Sequence, residues 1–373
     1  MALVKSWKRG DNEHVSPAQC TPTLLGRVNA DGATAPSPGP RRGPELIRAA
    51  APFEREDRGT SWWLLVETVL ILGGLIALAM WAAWWPVQIL AGFLAGLVQV
   101  RLFIFYHDTL HGALFRGAPV AQGLMTVVGI YFCTVRSVWS ESHDFHHQHN
   151  GKLAWSAVGS YPLLSTAAAS RLRPGQDRLY RLTRHPLTML CGYLTTSLFG
   201  LALVPFLRAP RRHVMAPVAV VLHLGLIGLV AWLAGPFTAV CAVVLPSLVS
   251  TAIGAYLFYA QHNFPDLAVC PNGTWSYTDA AVQGSSMFEM SRMMHWFTGN
   301  IGFHHVHHLS HRIPFYRLRE AMRAIPELHR PGRTSWALAD IRACLRLHFW
   351  DAEQGRLVSL GPVPVPLAVP GRS

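Results

Sequence analysis

The chain has 373 residues, of which 51% are hydrophobic and only 14% charged, and its formal net charge at pH 7 is +12. This composition argues against a small soluble domain and is typical of an integral membrane protein. The arginines flank apolar runs and no nucleic-acid-binding motif accompanies them, so we predict no nucleic-acid partner and assign the charge to membrane topology.

The N-terminal part of the chain contains a tail and two apolar runs. Residues 1–43 are rich in Pro, Gly, Ala and Arg and lack an apolar period, which predicts a disordered tail. Residues 44–50 predict one or two amphipathic turns on the membrane surface. The runs at 62–84 and 86–106 are each long enough to cross a hydrocarbon core of about 30 Å as a helix. The second run leads directly into His107.

The apolar runs that follow differ in length and in flanking charge. Arg101, near the end of the second run, is predicted to extend to the membrane interface. The segment 118–135 is short for a span and predicts an interfacial or half-buried helix. Three further runs, at about 187–206, 215–233 and 237–258, are apolar enough to enter the bilayer.

Three histidine clusters lie just outside these runs and contain eleven of the 19 histidines. The clusters occupy residues 107–111, 143–149 and 304–311. In the third cluster, His304, His307 and His308 have the i, i+3, i+4 spacing that places three imidazoles on one face of a helical turn. Imidazole suits iron, zinc and copper. An isolated histidine pair is usually an ordinary surface or hydrogen-bonded feature, whereas three such clusters beside membrane exits indicate one shared metal pair.

If the three clusters share a metal pair, the membrane topology must place them on the same side of the membrane. Histidines on opposite sides of a membrane cannot bind the same metal pair, so one of the last three runs must not cross. The run at 187–206 has arginines before and after it, and the positive-inside rule then puts both of its ends in the cytoplasm. We therefore predict a re-entrant or interfacial segment there. The other two runs are joined by the uncharged Ala234-Gly235-Pro236, which predicts a tight hairpin.

The predicted fold is an all-α integral membrane protein. It has four transmembrane helices in two hairpins, interfacial or re-entrant helices, and a cytosolic helical cap bearing the histidines. We predict a membrane domain over residues 44–350 and a flexible C-terminal tail over 351–373. The expected location is the inner (cytoplasmic) membrane, with the histidine clusters and both termini in the cytoplasm.

The chain resembles the membrane fatty acid desaturases, in particular a bacterial acyl-lipid, omega-six-like subgroup. The resemblance covers about residues 44–330 and, beyond the three clusters, rests on the segments 179–186, 258–264, 296–300 and 312–316. It implies a centre of two Fe ions held by histidines alone. It also implies that dioxygen and two electrons are consumed as a C=C bond is introduced into a lipid acyl chain.

The resemblance implies ligands at matching positions. The implied metal ligands are His107, His111, His143, His146, His147, His262, His304, His307 and His308. His262, which follows the last span, matches the ninth ligand of the family. Asn300 is implied to be an outer-shell or water-holding residue. His149, His305 and His311 are bystander histidines, that is, histidines predicted not to bind the metals. His223, inside a span, is predicted to hydrogen-bond to neighbouring backbone or helix.

Desaturation at one position requires an apolar tunnel that holds a single C–C bond beside the metals, because the methylenes of a chain are chemically alike. Aromatic residues near the clusters are candidates for lining it, although each also suits ordinary packing or an interfacial anchor. These candidates are Tyr131, Trp139, Trp155, Trp296 and Phe303. Neither acyl length nor double-bond position follows from the sequence pattern.

The electrons must come from a separate protein. The six cysteines are scattered without a C-x-x-C motif, and the chain has no flavin, nicotinamide or fused cytochrome signature. We predict a ferredoxin or cytochrome-type donor, which would be acidic if it docks on the face carrying Arg171, Arg173 and Arg178.

Two other functions compete with desaturation. A lipid or carotenoid hydroxylase or ketolase would use the same scaffold and metal centre. A haem-binding electron carrier or a metal transporter would instead place paired histidines inside the spans, whereas here only His223 lies in mid-membrane.

Overall fold

The computed structural model describes residues 40–153, 159–270 and 275–359. The disorder predicted for residues 1–39, the flexibility predicted for 360–373 and the candidate Trp155 lie outside the described residues.

The described chain is mostly helical. In order, the helices are α1 (Pro44–Ala50), α2 (Arg58–Trp81), α3 (Trp85–Leu110), α4 (Pro119–Tyr131), α5 (Arg136–His149), α6 (Thr166–Ser170), α7 (Pro174–Thr183), α8 (Pro186–Leu190), α9 (Tyr193–Arg208), α10 (Met215–Ala234), α11 (Pro236–His262), α12 (Tyr277–Gln283), α13 (Arg292–Phe297), α14 (His304–Leu309), α15 (Leu318–Ala324) and α16 (Leu338–Arg346). Short 3₁₀ turns occupy Ala51–Phe53, Phe315–Arg317 and Pro326–Leu328, and π-helical turns occur at Tyr193–Leu203 within α9 and at Val240–Val244 within α11.

Five short strands accompany the helices. They are β1 (Leu164–Ser165), β2 (Met287–Glu289), β3 (Arg333–Ser335), β4 (Leu347–Asp351) and β5 (Arg356–Ser359). β4 pairs with β1 in parallel and with β5 in antiparallel, while β2 and β3 form a parallel pair. The ordered chain thus extends further than we predicted, because the β4–β5 pairing holds residues that we assigned to a flexible tail from 351 onward.

Four helices of the described chain are long and apolar enough to span a membrane: α2, α3, α10 and α11. They form two helical hairpins, α2–α3 and α10–α11, so the predicted all-α fold with four spans is confirmed. α3 and α11 lie at the centre and approach closely at Gly92 and Gly96. A Cβ atom at Gly92 would lie 2.2 Å from the carbonyl oxygen of Cys241, and one at Gly96 would lie 2.6 Å from Cβ of Val249.

Helices α4 and α5 do not form a continuous span. Their axes meet at 91°, and α5 carries the second histidine cluster. Its His143 contacts His107 at the end of α3, and its His146 contacts His262 at the end of α11. The C-terminal ends of α3 and α11 therefore lie on the same side of the bundle, as the even number of crossings requires.

The segment 184–212 enters the bundle and returns. At its start, Arg184 Nη2 donates to the side-chain oxygen of Asn263, next to His262. Eight residues later, a Cβ at Gly192 would lie 2.9 Å from the carbonyl oxygen of Thr251 on α11. Thr251 precedes His262 by eleven residues, so this contact lies about 16 Å along the helix from the histidine end. At its end, Arg212 Nε lies 3.2 Å from Glu141 on α5. The two ends of the segment therefore lie on the same side of the bundle, which agrees with the predicted re-entrant or interfacial segment that does not cross the membrane.

Arg101 on α3 does not reach the interface as we predicted. Its side chain is buried, and its Nη1 donates to the carbonyl oxygen of Trp296 at 2.8 Å. Its Nε donates to the hydroxyl of Thr68 at 3.0 Å, and Glu67 on α2 lies 3.7 Å from its Nη2. Because these acceptors satisfy the guanidinium inside the protein, Arg101 attaches α2 and the α13 region to α3.

Candidate metal centre

Nine histidines converge where the C-terminal ends of α3 and α11 meet α5 and α14. α3 supplies His107 and its C-cap His111, α5 supplies His143, His146 and His147, α11 ends at His262, and α14 supplies His304, His307 and His308. The i, i+3, i+4 spacing predicted for the third cluster is therefore realised on one helical turn. The long helices α3 and α11 anchor His107 and His262 in the membrane bundle.

These residues separate into two groups, within each of which one ring nitrogen per residue lies within 4.8 Å of the others. The five-histidine group is His107, His111, His143, His147 and His307, and the four-histidine group is His146, His262, His304 and His308. Together they are the nine residues that the resemblance implied as ligands. The groups adjoin, because the rings of His147 and His308 stack at a centroid distance of 4.3 Å.

The spacing of ring nitrogens matches a metal coordination shell. Nε2 of His107 lies 2.9 Å from Nε2 of His143, and Nε2 of His262 lies 3.0 Å from that of His146 and 2.9 Å from that of His304. Neighbouring nitrogens bound at right angles to a metal at about 2.1 Å lie about 3.0 Å apart. The geometry in both groups therefore fits a bound cation.

Hydrogen bonds on the outer side of two rings orient their lone pairs inward. Nδ1 of His107 lies 2.9 Å from Oδ1 of Asp108, and Nδ1 of His262 lies 3.2 Å from the carbonyl oxygen of Gly284. Both acceptors require a proton on Nδ1, so Nε2 of each ring carries a lone pair facing its group. Lone pairs that converge at about 3 Å repel one another unless a cation lies between them.

Two further ligand candidates, His111 and His308, have ring nitrogens that make no hydrogen bond with the described residues. Both nitrogens of His111 and both of His308 are buried without a hydrogen-bond partner in the described chain. Because buried polar atoms are nearly always satisfied, such orphaned nitrogens are expected where an ion binds. The donor set of neutral nitrogens suits iron, zinc or copper.

Burial keeps the imidazoles neutral. It lowers the pKa of seven of the nine converging histidines, those outside the spans, well below the ordinary value, and neighbouring histidines add a smaller effect in the same direction. This applies to His111, His143, His146, His147, His304, His307 and His308. Since a metal binds only the unprotonated ring, the site is prepared to accept metal at neutral pH.

Two of the predicted bystander histidines face away from both groups. Nε2 of His305 lies 3.2 Å from the carbonyl oxygen of Leu328, and the ring of His149 stacks on Phe145 at 4.0 Å. His311 also lies outside both groups, although its ring centroid is only 4.8 Å from that of His111.

The intramembrane His223 lies near the backbone of Tyr131, which agrees with the predicted hydrogen bond to neighbouring backbone, although the contact falls short of ideal hydrogen-bond geometry. Its ring packs against the rings of Tyr131 and Tyr193, at centroid distances of 5.3 and 5.5 Å.

Asn300 is connected to His107 through two intermediates. Its Nδ2 donates to the carbonyl oxygen of Phe315 at 3.2 Å, and the backbone N–H of Phe315 donates to Oδ2 of Asp108 at 2.8 Å. Asp108 in turn orients His107. Asn300 also adopts a positive φ of 54°, so its backbone shapes the loop that leads into α14.

A cavity of about 540 Å³ extends from the histidines into the bundle. Its wall includes His107 and His143 of the five-histidine group and His304 of the four-histidine group, and it continues along α3, α9 and α11. Trp139 also lines it and stacks on His143 at a centroid distance of 4.6 Å. The size of the cavity is typical of a small-molecule site.

The other described tunnel candidates pack elsewhere. The Tyr131 hydroxyl accepts a hydrogen bond from Gln99 at 2.7 Å. Trp296 faces the Arg101 guanidinium at 4.6 Å, and the Phe303 ring stacks on His295 at 4.9 Å.

Several residues of the site were not predicted. Asp108 orients a ligand candidate, and its position directly after His107 was the available signal. Tyr161, Gly254 and Phe258 line the cavity. Phe258 begins one of the segments that carry the resemblance, but no local pattern marked any of the three as a cavity residue.

Comparison with known proteins agrees with this geometry. The family model described as fatty acid desaturase matches residues 79–337. The chain is 28% identical over 316 residues to a Bacillus subtilis (strain 168) protein named fatty acid desaturase, covering 83% of this chain and 84% of that one. It is 27% identical over 227 residues to the sn-1 oleoyl-lipid 12-desaturase of Synechocystis sp. (strain ATCC 27184 / PCC 6803 / Kazusa), covering 58% and 63% of the two chains. Both names describe desaturation, so the hydroxylase or ketolase alternative is not favoured.

Proposed function

Since the chain belongs to the fatty acid desaturase family and is an integral membrane lipid desaturase, we propose that each of its two histidine groups holds one iron ion. The observation that carries this proposal is the convergence of nine imidazoles, eight buried and that of His262 half-buried, into groups with nitrogen spacings of 2.9–3.2 Å. When bound, the iron pair supplies, with dioxygen and two electrons, the oxidising power to remove hydrogen from two adjacent methylenes.

The protein's own residues orient the ligands and the substrate. Asp108 and the carbonyl oxygen of Gly284 hold the Nδ1 protons of His107 and His262, which keeps the opposite nitrogens available. Trp139 stacks on His143 and forms part of the cavity wall, so one rigid ring both fixes a ligand and limits where the substrate can lie. The largely apolar wall excludes water from the reacting methylenes.

The proposed substrate is the acyl chain of a membrane lipid. The cavity extends from the histidines between α3, α9 and α11, within the depth of the membrane bundle, where a lipid chain can enter from the bilayer. The printed name of the Synechocystis relative specifies an oleoyl chain in a lipid, which supports this class of substrate. Arg208 is the one charged residue of the cavity wall other than histidine in the described chain, and it suits an anionic headgroup.

We place the histidine groups on the cytoplasmic side of the inner membrane. The re-entrant segment 184–212 begins and ends beside residues next to the metal centre, and arginines lie at both of its ends. The positive-inside rule assigns such ends to the cytoplasm. This arrangement also puts the termini on the cytoplasmic side, because four spans return the chain to the side on which it begins.

A separate electron donor docks on the exposed basic surface around α7. Arg171, Arg173 and Arg178 are all exposed there. Arg184, six residues after Arg178, reaches Asn263 beside the four-histidine group. An acidic ferredoxin or cytochrome-type protein fits this charge, and electrostatic steering would accelerate its association.

The proposed function is tested by expressing the gene in a host and comparing the fatty acids of its lipids with those of the empty host. New double bonds together with about two iron ions per purified chain would support the proposal. New hydroxyl or keto groups would instead assign a hydroxylase or ketolase. A Soret band, or an iron content well below two, would contradict the proposed centre.

A further inference from the structure

Helix α11 turns one continuous face toward the cavity. The residues of α11 that line the cavity are Ser250, Thr251, Gly254, Ala255, Leu257, Phe258 and Gln261. At about 100° per residue, these positions cover less than half of the helix circumference, and Gly254 lies close to the middle of that arc. The centre of this wall therefore has no side chain.

Neither packing nor backbone conformation explains a glycine at this position. A Cβ atom built on Gly254 meets no heavy atom within 4 Å, whereas one on Gly96 of α3 would collide with Val249. Gly254 also lies inside a regular helix, where glycine is less favourable than alanine. Because its missing side chain faces the cavity, the glycine leaves space that a ligand can use.

The depth of Gly254 relative to the histidines follows from helix geometry. It precedes His262 by eight residues, which corresponds to about 12 Å along the axis of α11. Slightly deeper, segment 184–212 packs closely against α11, since a Cβ on Gly192 would lie 2.9 Å from the carbonyl oxygen of Thr251. Gly254 therefore lies toward the deep, membrane-buried end of the cavity.

The opposite end of the cavity carries the charge. Arg208 ends α9, and Arg212 shortly after it pairs with Glu141, two residues before His143. The polar head of an acyl lipid thus fits the end near the histidines and Arg208, and its methyl end extends past Gly254.

We propose that Gly254 is a specificity-determining residue, which sets how far the methyl end of the acyl chain enters and thereby which C–C bond lies beside the histidines. This inference rests on the proposed function, because it assumes that the cavity holds the acyl substrate. A larger side chain at position 254 shortens the deep end and pushes the chain outward. The double bond then forms nearer to the methyl end, and shorter chains are preferred.

The test compares Gly254→Leu with the wild type and with Gly225→Leu. Gly225 is an exposed glycine of the span α10, where an added Cβ also meets no atom within 4 Å, so the control adds the same side chain to a membrane helix away from the cavity. The lipids of each host are analysed for acyl length and double-bond position. Because one methylene in an apolar site changes selectivity by roughly 10- to 200-fold, we expect Gly254→Leu to raise the ratio of shorter to longer unsaturated chains at least tenfold.

The outcomes separate this inference from the proposed function. An unchanged product pattern for Gly254→Leu, with wild-type iron content, overturns the inference while the proposed function stands. If the wild type itself makes no unsaturated chains, the proposed function fails. If Gly254→Leu is inactive, Gly254→Ala decides: a shift toward shorter chains supports the role of this position, and an unchanged pattern overturns it.

Discussion

The carboxylate of Asp108 lies 2.9 Å from Nδ1 of His107, the residue immediately before it, and its second oxygen accepts the backbone N–H of Phe315. The acid thus connects the end of α3 to the loop that follows the third histidine cluster. It fixes the ring of His107 and increases the basicity of its Nε2 toward the five-histidine group.

Replacing Asp108 by Asn should weaken the centre without removing a ligand. The amide keeps the size of the side chain but loses the charge that stabilises the Nδ1 proton. Outer partners of this kind typically contribute 10- to 100-fold to metal affinity or activity, and we expect a loss of about that size in iron affinity, measured by chelator competition. Asp144→Asn is the control, since Asp144 is exposed and 3.7 Å from His111. Equal affinities of both variants would show that Asp108 does not tune the centre.

Two neighbouring histidines on α14 should respond oppositely to substitution. His308→Ala removes a member of the four-histidine group, so we expect about one iron ion per chain and no desaturated product. His305→Gln should retain both ions and activity, because His305 faces Leu328 and Gln preserves a hydrogen-bond donor. Iron content and product are measured on the same preparations. Retention of two ions by His308→Ala would remove it from the proposed ligands.

The stability of the iron-free protein should fall as the pH falls below about 6.5. Burial lowers the pKa of His304, His307 and His308 in the folded protein, whereas the unfolded chain binds protons with a pKa of about 6.5. Below that pH the unfolded state holds more protons, so acid favours unfolding. Thermal melting in detergent between pH 7.5 and pH 5 measures this loss.

A triple variant provides the control for the pH experiment. Replacing His146, His304 and His308 by Gln removes three of the buried titrating groups, so its melting temperature should depend less on pH. Iron loading should also reduce the dependence in the wild type, since bound metal excludes protons from the rings. A melting temperature that is constant from pH 7.5 to pH 5 would contradict the expected protonation.

Neutralising the exposed arginines near α7 should slow electron delivery. We expect the combined Arg171→Gln, Arg173→Gln and Arg178→Gln variant to lower the rate of reduction by an acidic donor about tenfold at low salt, with a smaller difference at high salt. The matched control removes three exposed arginines of the cap instead, at Arg323, Arg330 and Arg342. Stopped-flow reduction by ferredoxin at several salt concentrations distinguishes them. Identical salt dependence of the two variants would exclude docking at α7.

Much of the architecture was predictable from local patterns. The length of the apolar runs indicated four spans, because a helix must be long enough to cross the hydrocarbon core. Histidines that share a metal pair must lie on one side of the membrane, so one of the last three apolar runs could not cross. The arginines at both ends of 187–206 identified that run as re-entrant or interfacial. The spacing on α14 also separated His305 from the three residues that face the centre, because helical periodicity alone decides which side chains share a face.

Other features depended on contacts between residues far apart in the sequence. Arg101 was expected at the interface, yet acceptors on α2 and α13 bind it in the interior. The strand at Arg356–Ser359 exists because it pairs with β4. Among the described tunnel candidates, aromatic character did not distinguish Trp139, which lines the cavity, from Phe303, which stacks on His295.

The sequence by itself located three histidine clusters beside the membrane exits, because helical spacing and membrane boundaries are local properties of a chain. The resemblance to the desaturases then implied which nine histidines act together, including His262. Only the tertiary structure decided how they divide. The adjacent His146 and His147 point about 100° apart around α5 and join different groups, and the partners that complete each group come from α3, α11 and α14. That division, like the open space at Gly254, arises from the packing of helices distant in sequence, which no local pattern encodes.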